Sequence, residues 1–179
     1  LLVLAELLPA SPPLSAAQTH PYYDRLRADP ELFAVIDVPV NPFSRDYFEY
    51  QTQHHKPMAV AVHSRPPKGV GSYIDSVPLL RALMPASVTE RGPTDLKLQA
   101  GPPLSPAEIG RDLTRLRADR FRYLLVHREM LTAAALHRLD ALLTGRGDLR
   151  LVYQDRLLAV WELLPEATTV APPSAADRP

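Results

Sequence analysis

The sequence predicts an α/β fold with three layers, in which helices cover both faces of a mainly parallel sheet and the chain closes with an antiparallel hairpin. Apolar runs of strand length alternate with helix-length segments, an order that implies parallel strands joined by right-handed crossovers. Several of these runs are apolar throughout, which fits strands that are buried on both faces. The last two runs flank a short turn and therefore predict the hairpin.

Continuous apolar runs that end at a proline or at a polar turn locate the strands. The run LLVLAELL is closed by Pro9, and the run LFAVIDV is closed by Pro39. Runs of this length and composition are typical of strands in a sheet covered on both sides. We predict strands at residues 1–8, 32–38, 58–63, 121–127, 149–153 and 157–163, the last two joined by a turn over 154–156.

Prolines and capping residues locate the helices. Ser105 and Glu108 form a capping box with Pro106 at the first helical position, which is the cleanest local signal in the chain. Pro78 fits only the first turn of a helix, so that helix begins one or two residues before it. We predict helices at residues 20–29, 44–54, 76–84, 106–119 and 131–143.

The domain organisation follows from the same pattern. Residues 1–165 are predicted to form a single α/β domain, and residues 166–179 a disordered tail, because the tail lacks apolar periodicity. Residues 85–104 are predicted to be a loop or a short extra hairpin. A strand at the first residue leads us to expect that the chain is part of a longer parent protein.

Composition excludes several classes of function. The 20 Lys and Arg residues balance the 20 Asp and Glu residues, whereas general binders of nucleic acid or anionic membranes need a cationic surplus. The chain contains no Cys, which excludes thiol nucleophiles, thiolate zinc sites and iron–sulfur clusters. No catalytic residue can be assigned from a motif.

Polar residues at strand ends are the candidates for chemistry, because ligands of open α/β sheets bind outside the carboxyl ends of the strands. Asp37 ends the second predicted strand, His63 ends the third and His127 ends the fourth. The segment YFEYQTQHHKP at 47–57 is the densest cluster of functional side chains. Within it, Tyr47, Tyr50 and His54 share one helix face, with Gln51 beside them.

A metal site formed by His54, His55 and His63 with Asp37 is the sharpest interpretation of the histidines, since imidazole and carboxylate are zinc ligands. Against it, the neighbouring His54 and His55 point about 100° apart on a helix and cannot easily serve one ion. The chain has no H-E-x-x-H motif, no G-x-G-x-x-G motif and no G-x-S-x-G motif. We therefore predict no metal and no cofactor.

Three segments together carry a family resemblance: FAVIDVP at 33–39, YQTQHHKP at 50–57 and AVHSR at 61–65. They resemble a pattern in large multi-spanning bacterial membrane proteins that look like GT-C glycosyltransferases, which use polyprenyl-phosphate sugars. In that pattern a strand ending in D-x-P leads to Y-x-Q-T-x-H-G-K-P and then to a strand ending in S-R, within a soluble α/β domain that follows the membrane helices. His55 stands where that pattern has Gly, a residue that permits a positive φ.

The resemblance implies a non-catalytic accessory domain on the extracytoplasmic side, attached to the membrane through its parent chain. Catalysis in GT-C enzymes is associated with loops of the membrane part. The implied partner is the transmembrane portion of the parent, and the implied ligand is a glycan, an acceptor or a polyprenyl-phosphate sugar, with no nucleic acid. Aromatic faces with amide, imidazole and guanidinium donors suit sugars and phosphates. The candidate ligand-binding residues are Asp37, Tyr50, Gln51, His54, Lys56 and Arg65.

Two alternatives stay open at this point. The chain could be an autonomous metal-assisted hydrolase that uses Asp37, His54 and His63. It could instead be a purely structural domain, in which the Q-T-x-H segment pins a helix to the sheet through buried hydrogen bonds. The two alternatives differ in whether the polar residues reach a substrate or face the protein interior.

Overall fold

The computed structural model describes residues 19–41, 46–59, 69–86 and 96–165. The helices are α1 (Pro21–Ala28), α2 (Asp46–His54), α3 (Val70–Asp75), α4 (Pro78–Ala82), α5 (Pro106–Ala118) and α6 (Ala133–Leu143). The strands are β1 (Ala34–Val38), β2 (Phe121–His127), β3 (Leu149–Gln154) and β4 (Leu158–Leu163), and a 3-10 turn spans Arg128–Met130. The predicted strand 1–8, most of the predicted strand 58–63 and the predicted tail 166–179 lie outside the described residues.

One open sheet of four strands organises the described residues, in the order β1-β2-β4-β3. Strands β1 and β2 are parallel, with Asp37 opposite Leu125 and Val38 opposite Val126. Strand β4 pairs antiparallel with β2 on one side and with β3 on the other. The predicted α/β fold and the C-terminal hairpin are therefore confirmed.

The prediction of a mainly parallel sheet is wrong for the described sheet, because two of its three strand pairings are antiparallel. The hairpin forms one end of the described sheet, with β4 next to β2 and β3 at the edge. Met58, from the third predicted strand, reaches β1 only through an isolated parallel bridge to Val35. An apolar run reports that a strand is buried, and burial alone does not fix the direction of its neighbour.

The local helix signals are confirmed. In the capping box, the Ser105 hydroxyl accepts the backbone N–H of Glu108 at 3.3 Å, and the Glu108 carboxylate accepts the N–H of Ser105 at 2.8 Å. Helix α4 begins at Pro78, with the proline in its first turn as predicted. Helix α3 was not predicted, and contacts distant in sequence explain it: the Tyr73 hydroxyl donates to Asp119 at 2.6 Å.

The region predicted as a loop or short hairpin, 85–104, is described at both ends but not over 87–95. Its flanks are extended and pair through isolated bridges, antiparallel between Pro85 and Leu98 and parallel between Leu96 and Leu131. Backbone hydrogen bonds from Leu96 to the segment after β2 attach this region to the domain. Backbone pairing therefore orders the two flanks, and the sequence pattern does not reveal this pairing.

The hydrophobic core lies between the sheet and the helices packed on it. The central strand residues Val35, Leu124 and Val160 are fully buried, and Leu116 of α5 is buried with them. Helix α1 packs against α2, and α5 packs against β2. Among the described helices, none has both the length and the apolarity that crossing a bilayer requires. This packing holds the carboxyl ends of β1 and β2 side by side.

Candidate functional site

Two strand ends bring Asp37 and His127 into contact. Because β1 and β2 are parallel neighbours with Asp37 opposite Leu125, His127 lies two residues further on and on the same face of the sheet. His127 Nε2 donates to Asp37 Oδ1 at 2.8 Å. Neither side chain is exposed to solvent. Both side chains thus lie at the carboxyl ends of neighbouring parallel strands, where the sequence places them.

Glu129 and His20 extend the polar cluster beyond the sheet. Glu129 lies in the 3-10 turn directly after β2, and its Oε1 is 3.7 Å from His127 Nδ1. The same oxygen is 4.0 Å from Nε2 of His20, the residue that precedes α1. The cluster therefore contains two imidazoles and two carboxylates from three separate parts of the chain.

Aromatic rings from α2 cover His127. Tyr50 stacks on its imidazole with ring centroids 4.6 Å apart and an interplanar angle of 12°. Tyr47 lies 5.6 Å from the same imidazole at 27°, and its hydroxyl donates to the carbonyl of Pro39. Tyr47, Tyr50 and His54 share one face of α2, as their spacing predicts, and the structure buries all three. The rings fix the imidazole plane and exclude water from it.

Burial and neighbouring charges shift the pKa values of the histidines in opposite directions. Burial opposes the charged form of His127, but the carboxylates of Asp37 and Glu129 outweigh it and raise its pKa to about 9. Burial lowers the pKa of His20, and the nearby His127 lowers it further. Burial also lowers the pKa of His54 to about 4. At neutral pH these shifts favour the charged form of His127 and the neutral forms of His20 and His54.

At the end of α2, two side chains of the Q-T-x-H-x-K segment form hydrogen bonds with the backbone of Lys56. His54 Nδ1 accepts the Lys56 N–H at 3.0 Å, and Gln51 Nε2 donates to the Lys56 carbonyl at 3.4 Å. Between His54 and Lys56, the backbone of His55 has a φ of 58°, in the left-handed region. The chain then runs directly to the edge of β1, where Val35 donates its N–H to the carbonyl of Pro57.

The Lys56 ammonium points to the loop that follows α1. It donates to the carbonyls of Asp29 at 2.6 Å and Glu31 at 2.9 Å, and it lies 4.3 Å from the centre of the Phe33 ring. The side chain is almost completely buried. A buried cation satisfied by backbone carbonyls and an aromatic face stabilises the loop rather than presenting its charge to solvent.

Comparison of the chain with protein-family models, with curated proteins and with solved structures finds no match. The resemblance to GT-C glycosyltransferase-like proteins over residues 33–65 therefore stays a prediction. Within the described part of that segment, three matched polar side chains have hydrogen-bond partners inside the domain. Asp37 binds His127, and His54 and Gln51 bind the Lys56 backbone.

The predicted ligand-binding residues divide by position. Asp37, Tyr50, His54 and Lys56 are between 0 and 6% exposed, and Gln51 is half-buried. Asp37 and Tyr50 meet around His127, whereas the Lys56 ammonium is directed to the loop after α1. A ligand-binding role for these residues stays a prediction. Arg65, the sixth predicted residue, and His63, the third ligand of the hydrolase alternative, lie outside the described residues.

Sequence reasoning did not select His20 and Glu129, and it ranked His127 only as one of several strand ends. The ligand atoms of these three residues all lie within 4.8 Å of one another. Glu129 follows His127 by two residues, a proximity that the sequence offered as a signal. His20 precedes a helix and carries no local pattern that connects it to β2, so only the fold could place it here.

Proposed function

We propose that this chain is a non-catalytic accessory domain of a membrane glycosyltransferase-like protein, attached through its parent chain on the extracytoplasmic side. The observation that carries the proposal is the burial of the polar residues in the motif, with Asp37 1% and His54 0% exposed. Residues that catalyse or bind need access to a substrate. Residues of an accessory domain need only hold the domain in shape, and buried polar networks do so with high specificity.

The contacts of the motif support this role step by step. The D-x-P strand end is fixed by the Asp37–His127 hydrogen bond. The Q-T-x-H-x-K segment ends α2 on the Lys56 backbone, and the Lys56 ammonium ties that point to the loop before β1. We propose in addition that the complete domain has three layers, with helices on both faces of its sheet.

The proposed partner is the transmembrane portion of the parent chain. A glycan, an acceptor or a polyprenyl-phosphate sugar is the proposed ligand class, and the zero net charge gives no support to nucleic acid. The domain then stabilises or covers an active site that other parts of the parent supply. This division of labour requires no catalytic group within the chain.

The first test examines the complete natural gene. We expect its reading frame to encode several apolar segments of about 20 residues in addition to this chain. In fractionated cells the full-length protein should remain in carbonate-washed membranes, and protease added to intact spheroplasts should cleave this domain. A complete protein without such segments that is recovered in the soluble fraction would overturn the proposal.

The second test separates an accessory domain from a catalytic one. In the full-length protein, Asp37→Asn should lower the amount of folded protein in membranes while glycosyl transfer per folded molecule stays unchanged. Asp140→Asn, at an exposed position of α6, is the matched control and should change neither quantity. Loss of transfer with a normal amount of folded Asp37→Asn protein would contradict the proposal, as would transfer or hydrolysis by the isolated chain.

A further inference from the structure

We propose that His20, His127 and Glu129 bind one divalent transition-metal ion, with Asp37 orienting His127 from behind. The inference does not depend on the accessory role proposed above. The three residues come from the start of α1, the end of β2 and the turn after β2, and their ligand atoms lie within 4.8 Å of one another. Two imidazoles and one carboxylate form a ligand set that zinc and non-haem iron sites use.

Two of the three distances between the ligand atoms are within about 1 Å of those in a ligated site. Glu129 Oε1 is 3.7 Å from His127 Nδ1 and 4.0 Å from His20 Nε2. Bond lengths of about 2.0–2.2 Å place the ligand atoms of a zinc site roughly 3–3.5 Å apart. Glu129 lies in the 3-10 turn after β2 and its side chain is 16% exposed, and binding of an ion requires both distances to shorten by about 1 Å at most.

The ligand atoms are buried and have no hydrogen-bond partner in the part of the chain that the structure describes. Within the described residues, His20 Nε2, His127 Nδ1 and both Glu129 carboxylate oxygens have no hydrogen-bond partner. The side chains of His20 and His127 are 1% and 0% exposed. Buried polar atoms are nearly always paired, because an unpaired one loses its hydration without compensation. A single cation among these atoms satisfies them together.

The surroundings of His127 prepare it as a ligand. Its Nε2 donates to Asp37 at 2.8 Å, which leaves Nδ1 as the nitrogen that faces Glu129. A carboxylate behind a ligating histidine fixes the ring and makes it a better donor to the metal. The stacked Tyr50 ring, 4.6 Å away, holds the imidazole plane. Asp37 thus acts as a positioning residue.

The ligand chemistry selects the ion. Two imidazole nitrogens favour Zn²⁺ or a neighbouring transition metal over Mg²⁺ and Ca²⁺, which prefer oxygen ligands. His20, one of the three proposed ligands, lines a surface cavity of about 360 Å³ together with Tyr23. The alternative to a metal ion is a proton on His127 Nδ1. The charged imidazole would then lie between the carboxylates of Asp37 and Glu129. The burial of the ligands indicates a structural ion that ties α1 to the sheet.

Metal titration of the tag-free chain tests the proposal. After treatment with a chelator, the protein should bind one Zn²⁺, measured by calorimetry and by metal analysis after gel filtration. Zinc at about 100 times its dissociation constant should raise the melting temperature by roughly 5–10 °C, whereas Mg²⁺ should not. Bound Co²⁺ should show visible d–d absorption from nitrogen and oxygen ligands.

Variants decide which residues hold the ion. His20→Gln and Glu129→Gln should each weaken zinc binding at least tenfold and remove the rise in melting temperature, while circular dichroism shows that they fold. His137→Gln, at an exposed histidine of α6, is the matched control and should bind as the wild type does. Absence of stoichiometric zinc binding, binding unaffected by either ligand variant, or equal loss in the control would overturn the proposal.

Discussion

The Asp37 carboxylate accepts a hydrogen bond from His127 at 2.8 Å, and both side chains are shielded completely from solvent. Removing one partner of such a pair leaves an uncompensated buried charge, which costs about 3–5 kcal/mol. Asp37→Ala should therefore lower the free energy of unfolding by that amount in urea denaturation. Asp140→Ala, at an exposed carboxylate, should change it by less than about 0.5 kcal/mol. A loss below about 1 kcal/mol for Asp37→Ala would show that the pair is weakly coupled to folding.

His54 should make the stability depend on pH in the acid range. Burial lowers the pKa of His54 from its usual value of 6.5 to about 4, with Asp37 opposing the shift and His127 and His55 adding to it. The unfolded chain then binds a proton at higher pH than the folded one. This contribution is fully present above about pH 6.5 and is lost as the pH falls towards 4.

The measurement is the free energy of unfolding at pH 7 and pH 4.5 for the wild type and His54→Asn. The asparagine carbonyl can accept the Lys56 N–H but does not titrate in this range. The wild type should lose roughly 2–3 kcal/mol more than the variant between the two pH values. His55→Asn, at the exposed neighbour, should lose as much as the wild type. Equal losses in the wild type and His54→Asn would contradict the prediction.

Local features of the fold were predictable because the information for them is local. The capping box at Ser105 begins α5, and the turn around Asp155 joins β3 to β4, where its carboxylate accepts the N–H groups of Leu157 and Leu158 at 2.7 Å each. Each signal spans fewer than five residues. The order and direction of strands depend instead on pairing across the domain. No local sequence feature therefore indicates that β4 lies between β2 and β3.

The candidate site could be predicted only in part for a similar reason. The strand-end rule selected Asp37, and helical spacing placed Tyr50 and His54 on one face. Neither rule determines whether that face meets solvent or the core. His20 and His127 are separated by more than a hundred positions and join the cluster only when α1 packs beside β2. A pattern search along the chain cannot reveal such a juxtaposition.

Lys56 should contribute to stability through its ammonium group rather than through binding. Its two hydrogen bonds to the carbonyls of Asp29 and Glu31 hold the loop before β1. Lys56→Met keeps most of the side-chain volume but leaves both carbonyls without this donor, and bonds to charged groups contribute about 1.5–3 kcal/mol. We expect a loss in that range by chemical denaturation. Lys97→Met, at an exposed lysine, should be close to neutral, and an equal effect of both changes would refute the assignment.

His55 stands where the resembled family pattern has Gly, and its backbone has the conformation that glycine favours. Its φ is 58°, and its N–H closes the last turn of α2 on the Gln51 carbonyl at 2.9 Å. The left-handed region costs a residue with a side chain about 1–2 kcal/mol, and glycine avoids this cost. Part of the gain is offset because glycine has more conformational freedom in the unfolded chain. His55→Gly should therefore raise the free energy of unfolding by roughly 0.5–1 kcal/mol. His55→Ala removes the same exposed side chain without relieving the backbone and should give no gain. Equal stability of the two variants would show that the conformation at His55 is not strained.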